Sequence, residues 1–251
     1  MKKLLLLSVF LIFACSSDDS NDDNNDNNNN NNPFICDGVP YDSIVYGTQE
    51  WTVENACHIT YRDGTPIPEV TDNTDWSNLT TGAWIYYNND PTKPRLYNWF
   101  AVMGIHDTDP NTTNKEFAPD GWHVPSDAEW TTLEEYLIAN GYNYDGTTTG
   151  NKIGKSMAST TVWCISNNPG TIGNDLSLNN SSGFNVFPEG YRHFNRQDNV
   201  ECSHAIFWSS STMANSNKAW THGMYTGSST FSGSYSASYK QNGSSVRFVR
   251  D

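Results

Sequence analysis

Apolar residues in this chain come in short alternating runs, and only one stretch carries sustained helical spacing. Ser43-Ile44-Val45-Tyr46, Glu50-Trp51-Thr52-Val53 and Gly82-Ala83-Trp84-Ile85-Tyr86 are bounded by Gly, Pro, Asn and Asp, which is the pattern of short strands joined by turns. Ile206-Phe207-Trp208 reads as a buried strand, and Val246 to Arg250 closes the chain as another. Hydrophobic residues make up 36% of the chain and aromatics 13%, with nine Trp and thirteen Tyr. A core built from such a chain is aromatic-rich and wrapped in loops.

The one strong helix signal begins at Ser126, an N-cap residue, with Glu129 three positions later completing a capping box. Trp130, Leu133 and Leu137 follow at i, i+3 and i+7 and predict the buried stripe, and Gly141 can end the helix. A weaker helix is predicted from Leu96 to Met103.

The N-terminus is organised differently. Met1-Lys2-Lys3 is a basic start, and Leu4 to Phe13 is an apolar run of ten residues broken only by Ser8. That is too short to span a bilayer, which takes ~20 helical residues. It ends Ile12-Phe13-Ala14-Cys15, which resembles a bacterial lipobox with Cys15 as the lipidated residue after cleavage of residues 1–14. Residues 16–32 hold five Asp, nine Asn and three Ser and no apolar side chain. Such a stretch cannot offset an ordering entropy of roughly 1–2 kcal/mol per residue and is predicted to be a disordered tether. Acidic residues directly after Cys15 also resemble surface-export signals of Bacteroidota lipoproteins. The expected location is the outer membrane, lipid-anchored and facing outward, with a periplasm-facing anchor as the alternative. Residues 33–251 form a single expected domain, since no second low-complexity linker interrupts them.

Cys36, Cys57, Cys164 and Cys202 remain after Cys15. An even count in an exported chain permits two disulfides in three connectivities, of which 36–57 with 164–202 is favoured. No C-x-x-C is present, which argues against thioredoxin-like chemistry and zinc ribbons. Fourteen Lys and Arg stand against 28 Asp and Glu, for a net charge of −14, and Lys2-Lys3 is the sole basic run. Nucleic acid is therefore excluded as an expected partner, because phosphate-backbone binding needs clustered cations.

Several ordered segments resemble a known family. They include Glu50-Trp51-Thr52-Val53-Glu54-Asn55, Asp63-Gly64-Thr65-Pro66-Ile67-Pro68, Leu96-Tyr97-Asn98-Trp99-Phe100-Ala101-Val102 and Gly121 through Trp130. Gly183-Phe184-Asn185, Pro188-Glu189-Gly190-Tyr191-Arg192, Phe207-Trp208-Ser209-Ser210 and the closing Ser245 to Asp251 continue the series. Together, over about residues 36–251, they resemble the Fibrobacter succinogenes major paralogous domain, a family of exported and often lipid-anchored bacterial proteins. Thr52, Ala56 and Phe248 depart from its usual methionine, leucine and cysteine, and Phe248 removes any family disulfide at that position. The helix motif and closing strand also resemble the sulfatase-modifying-factor group and the C-type-lectin-like fold. The resemblance implies an α+β domain with two helices, a small twisted antiparallel sheet and long irregular loops. No settled activity comes with it, so it implies fold rather than function.

His123, between Trp122 and Val124, is expected to be a packed histidine. Asp107-x-Asp109-x-Asn111 has calcium-loop spacing, but Thr112 takes the glycine position and Ala118 the bidentate glutamate position, so a solvated turn is expected. The Glu-Pro-Asn, Gln-Pro-Asp and Trp-Asn-Asp signatures of calcium-dependent sugar binding are absent, as are a nucleophile elbow and H-E-x-x-H. No metal or cofactor is implied, and no catalytic residue is assigned. Residues 209–245 are rich in Ser, Gly, Thr, Asn and Tyr, a mixture that suits contact surfaces. Trp220, His222, Tyr225, Phe231, Tyr235 and Tyr239 are the expected ligand-binding residues, with Trp208 and Trp220 weighed also as core. The expected function is a non-catalytic binding module for glycan or protein ligands. The alternatives are an enzyme on the sulfatase-modifying scaffold, against which the wide spacing of Cys164 and Cys202 argues, and a structural surface protein.

Overall fold

The computed structural model of the protein describes residues 41–196, 200–232 and 237–251. Cys15, Cys36 and Tyr235 lie outside the described residues. Those described belong to one compact unit spanning Asn32–Asp251, and its class is α+β.

Strand β1 (Ser43–Tyr46) turns into β2 (Gln49–Thr52), and β2 pairs antiparallel with β8 (Val249–Arg250), so the two ends of the domain share one sheet. Helix α1 (Asn73–Ser77) is a single turn capped by Asp72, whose carboxylate accepts from the Thr74 and Asp75 N–H groups. Strands β3 (Trp84–Tyr86) and β4 (Arg95–Tyr97) form a second, two-stranded sheet. Helix α2 (Trp99–Val102) follows at once, then α3 (Asp127–Ala139) and α4 (Gly154–Met157). The third sheet is β5 (His204–Thr212), β6 (Lys218–Tyr225) and β7 (Ser238–Tyr239) in that order, all antiparallel. Where one small sheet was expected, the described residues hold three.

Helix α3 forms as its sequence predicts. Ser126 Oγ accepts from Glu129 N–H, and Glu129 Oε2 accepts from Ser126 N–H at 2.7 Å. Trp130, Leu133 and Leu137 are fully buried. Strand β5 serves the same helix: it bulges between Trp208 and Thr212. The displaced Ser210 N–H donates to Pro125 O, and Ser211 Oγ accepts from Asp127 N–H.

The second expected helix is corrected. Leu96 and Tyr97 are strand, and only Trp99–Val102 is helical. Asn98 sets the boundary, since its Oδ1 accepts from both Ala83 N–H, just before β3, and Ala101 N–H in the helix. The turn stops at Gly104, whose φ is +70° and where a Cβ would lie 1.8 Å from Lys115 O.

Trp130 sits at the centre of the larger core, with ring centroids 4.5 Å from Trp51 and 5.5 Å from Phe207 and Phe231. A second core gathers Tyr97, Trp99, Phe117, Trp208 and Phe248. The departures from the family pattern are absorbed here. Phe248 packs edge-on to Tyr41 and stacks on His58, while the Thr52 hydroxyl accepts from Phe248 N–H at 3.1 Å. Only Val249–Arg250 of the closing strand is regular, yet Val246 O and Phe248 O accept from Ala56 and Thr52 N–H. Between them Arg247 is buried, donating to Asn55, Thr52 O and Phe184 O and lying 4.8 Å over the Phe184 ring. Burial lowers this guanidinium to about 10 and raises the Glu189 carboxyl, which Arg247 partly offsets.

Candidate functional site

The polar-aromatic C-terminal segment folds around a cavity of about 280 Å³. Its floor is one face of the third sheet. His204 and Ile206, two residues apart on β5, point to the same side, and Thr221 of β6 lies beside them. One wall is β7, where Tyr239 stands opposite Lys218 in register and Ser238 opposite Ala219. The Lys218 ammonium lies 4.8 Å over the Tyr239 ring, a cation–π contact. Asn242 and Ser244 follow on the same side.

The opposite wall is Tyr191 and His193, and the Pro188–Arg192 motif holds it in place. Glu189 Oε2 accepts from Ser245 Oγ at 2.7 Å. Gly190 has φ +72°, and a Cβ there would lie 2.5 Å from the Tyr87 ring. Arg192 turns the other way from its neighbours: it is buried, donates to Asn73 Oδ1 at 2.7 Å and lies 4.9 Å over the Trp76 ring. Its backbone bridges Gly243. Alternation then leaves Tyr191 and His193 facing the cavity. Tyr191 meets His204 edge-on at 6.1 Å, and His193 Nδ1 lies 2.7 Å from Asn195 Oδ1.

Among the described residues that line the cavity there is no Asp, Glu or Cys, and Lys218 is the one Lys or Arg. Asn242 is 7% exposed, and its Oδ1 accepts from Phe194 N–H at 2.9 Å. That contact fixes the amide orientation, and its Nδ2 donor has no acceptor among the described residues.

The expected binding residues fall in three places. Tyr239 lines the cavity. Tyr225 is 39% exposed and stacks on His204 at 5.9 Å, just outside the lining; Trp220 is half-buried on β6, also outside it. His222 and Phe231 are corrected to core positions. Phe231 is fully buried against Trp130, and His222 is 2% exposed between Trp130, Asp127 and Glu134, so neither presents a face to a ligand. Tyr191, His193, His204, Lys218 and Asn242 complete the pocket without having been singled out in the sequence; only Tyr191 carried a signal, inside the family motif.

Other sites resolve as follows. Cys164 and Cys202 are joined by a disulfide, and Cys57 is disulfide-bonded. His123 is exposed and its Nε2 faces Glu129 Oε1, which corrects its expected packing: its backbone bridges Val249 at the sheet edge and turns the ring outward. Asp107 and Asp109 accept from the N–H groups two residues on, at 2.9 Å each, forming successive Asx turns. Among the described residues no group of three His, Cys, Asp or Glu could hold a metal ion, and no helix is long and apolar enough to cross a membrane.

An α+β domain whose ordered sequence motifs build one wall of a polar-aromatic pocket is the class that fold and site define. The Fibrobacter succinogenes major domain matches residues 44–250, and the chain belongs to that family. No curated protein and no solved structure matches it.

Proposed function

We propose that this domain is a non-catalytic binding module whose ligand enters the pocket between β5, β6, β7 and the Tyr191–His193 wall. One observation carries the reading: Tyr239, from a segment with paratope-like composition, lines a concave site together with Tyr191, Lys218 and Asn242. Rigid aromatic rings beside hydrogen-bond donors are what small-ligand recognition uses. The size, about 280 Å³, is close to the lower end of small-molecule sites at ~300–1,000 Å³. It suits a sugar ring better than the flat face of a protein partner, so glycan is favoured over protein. A C-type-lectin-like relationship is part of the proposal, supported by one main helix packed on small antiparallel sheets.

The test is a glycan array with paired thermal melts for wild type, Tyr239→Ala and Tyr191→Ala. Each variant is expected to stay folded and lose roughly thirtyfold in affinity, as a truncated hot spot of ~2 kcal/mol would. Folded variants with undiminished capture would place the ligand elsewhere.

We also propose that the chain is lipidated at Cys15 and held at the outer membrane, facing outward. The apolar run ending at Ala14-Cys15 and the Asn/Asp tract after it support this. Metabolic labelling with palmitate tests it; label retained in Cys15→Ala would refute it.

A further inference from the structure

We infer that the pocket takes a saccharide carrying an oxyanion, a carboxylate or sulfate ester on the sugar ring, held by Lys218 and Asn242 beside Tyr239. The inference rests on the pocket being the binding site and specifies what enters it. Among the described lining residues Lys218 is the one Lys or Arg, and there is no Asp or Glu. Its ammonium rests over the Tyr239 ring and has no carboxylate partner among the described residues. In a chain with 28 acidic residues against 14 basic, cations usually find carboxylates on the surface, as Lys93, Lys115 and Lys152 do here.

Asn242 is the second observation, independent of charge. The residue is 7% exposed. Its oxygen is committed to Phe194 N–H, so the group it turns to the pocket is the amino donor. A cation and an oriented amide donor with no carboxylate between them complement an acceptor-only group, and hydrogen bonds to an ionised acceptor are the strong ones. The cavity is larger than a lone sulfate or phosphate fills, and the Tyr191 and Tyr239 rings supply apolar faces for a sugar's C–H edges.

The experiment is calorimetric titration of the full chain with four probes. These are a galacturonate oligosaccharide, its methyl ester, a sulfated disaccharide and inorganic sulfate. The acid or the sulfated sugar is expected to bind at least about tenfold tighter than the neutral ester. Lys218→Gln and Asn242→Asp should each lose about tenfold, and Lys218→Arg should stay within about threefold of wild type. Asn242→Asp keeps the acceptor for Phe194 N–H, which protects the fold; if it still unfolds, the two Lys218 variants decide. Equal affinity for acid and ester, with Tyr239→Ala abolishing both, would overturn the oxyanion while the pocket reading stands. Inorganic sulfate competing as well as the sugars would overturn the saccharide. A folded wild type that binds no saccharide would overturn both.

Discussion

The imidazole of His222 lies nearly parallel to the indole of Trp130, with ring centroids 5.4 Å apart and planes 20° from each other. Its Nε2 is 2.9 Å from Asp127 Oδ1 and its Nδ1 is 2.9 Å from Glu134 Oε1. Asp127, Trp130 and Glu134 are three residues of one helix face, so a single side chain of β6 clamps more than a full turn of α3 by a stack and two polar contacts. Both contacts place a ring nitrogen within hydrogen-bond distance of a carboxylate oxygen.

Removing this clamp is predicted to cost stability rather than binding. His222→Ala leaves a void on Trp130 and takes the shared partner from two carboxylates, a loss of about 2–4 kcal/mol. Asp127→Asn is expected to cost less, about 1 kcal/mol, because the Asp127 side chain is 43% exposed and solvent screens it. Urea unfolding of the two variants gives the order; Asp127→Asn as the more damaging change would show that the clamp is not the organising contact.

The helix itself supplies a sharper contrast. Trp130 is fully buried and touches Trp51, Phe184, Phe207 and Phe231. Trp130→Ala is predicted to cost about 3–5 kcal/mol, enough to unfold a marginal domain. Ser126→Ala removes one cap bond and should cost ~1 kcal/mol. Thermal melts that reversed this order would contradict the buried stripe.

Helix α3 was legible because its capping box and its apolar spacing are local. The strand runs at Ser43–Tyr46 and Trp84–Tyr86 were legible for the same reason. The boundary at Asn98 was not, because it depends on Ala83, fifteen positions away. Helix α1 carries a local signal too, the N-cap residue Asp72. The pocket was legible only in part. Composition pointed to the C-terminal segment, and Tyr239 is there. Alternation on β6 correctly puts His222 and Met224 on one side, but nothing local states that this side faces Trp130 and is buried. The opposite wall is set by Arg192 reaching Asn73, 119 residues back, and no periodicity encodes such a distance.

The Cys164–Cys202 disulfide spans 38 positions, and it ties the segment before β5 to the loop where Cys164 O accepts from Thr226 Oγ1. Closing a loop of this length is worth about 4 kcal/mol in the chain-entropy account, with measured values usually 2–4. The double variant Cys164→Ala/Cys202→Ala is expected to lose about 2–4 kcal/mol in chemical denaturation. It should keep the signature of a folded core in near-ultraviolet circular dichroism, since Trp130 and its neighbours do not depend on the bond. Loss of that signature at low denaturant would show that the disulfide organises the core rather than restraining the unfolded chain.

The last prediction concerns pH. His58 stacks on Phe248 and lies 4.5 Å from Phe117, and its Nε2 is buried without a hydrogen-bond partner. Burial pushes this imidazole down from 6.5 to about 4, and the nearby Arg95 cation pushes the same way. Because the folded value is depressed, the unfolded chain takes up a proton that the folded chain refuses. The contribution of His58 is therefore complete above about pH 6.5 and is lost as the pH falls toward about 4, up to about 3 kcal/mol in all. Carboxylates titrate at the lower end of that window, so the informative range is about pH 6.5 to 5. His58→Phe, which keeps an aromatic ring against Phe117 and Phe248, is expected to flatten the stability profile there relative to wild type. Chemical denaturation at a series of pH values measures both slopes. Equal slopes in the two proteins would mean that His58 is protonated within the fold and that its aromatic surroundings do not exclude the charge.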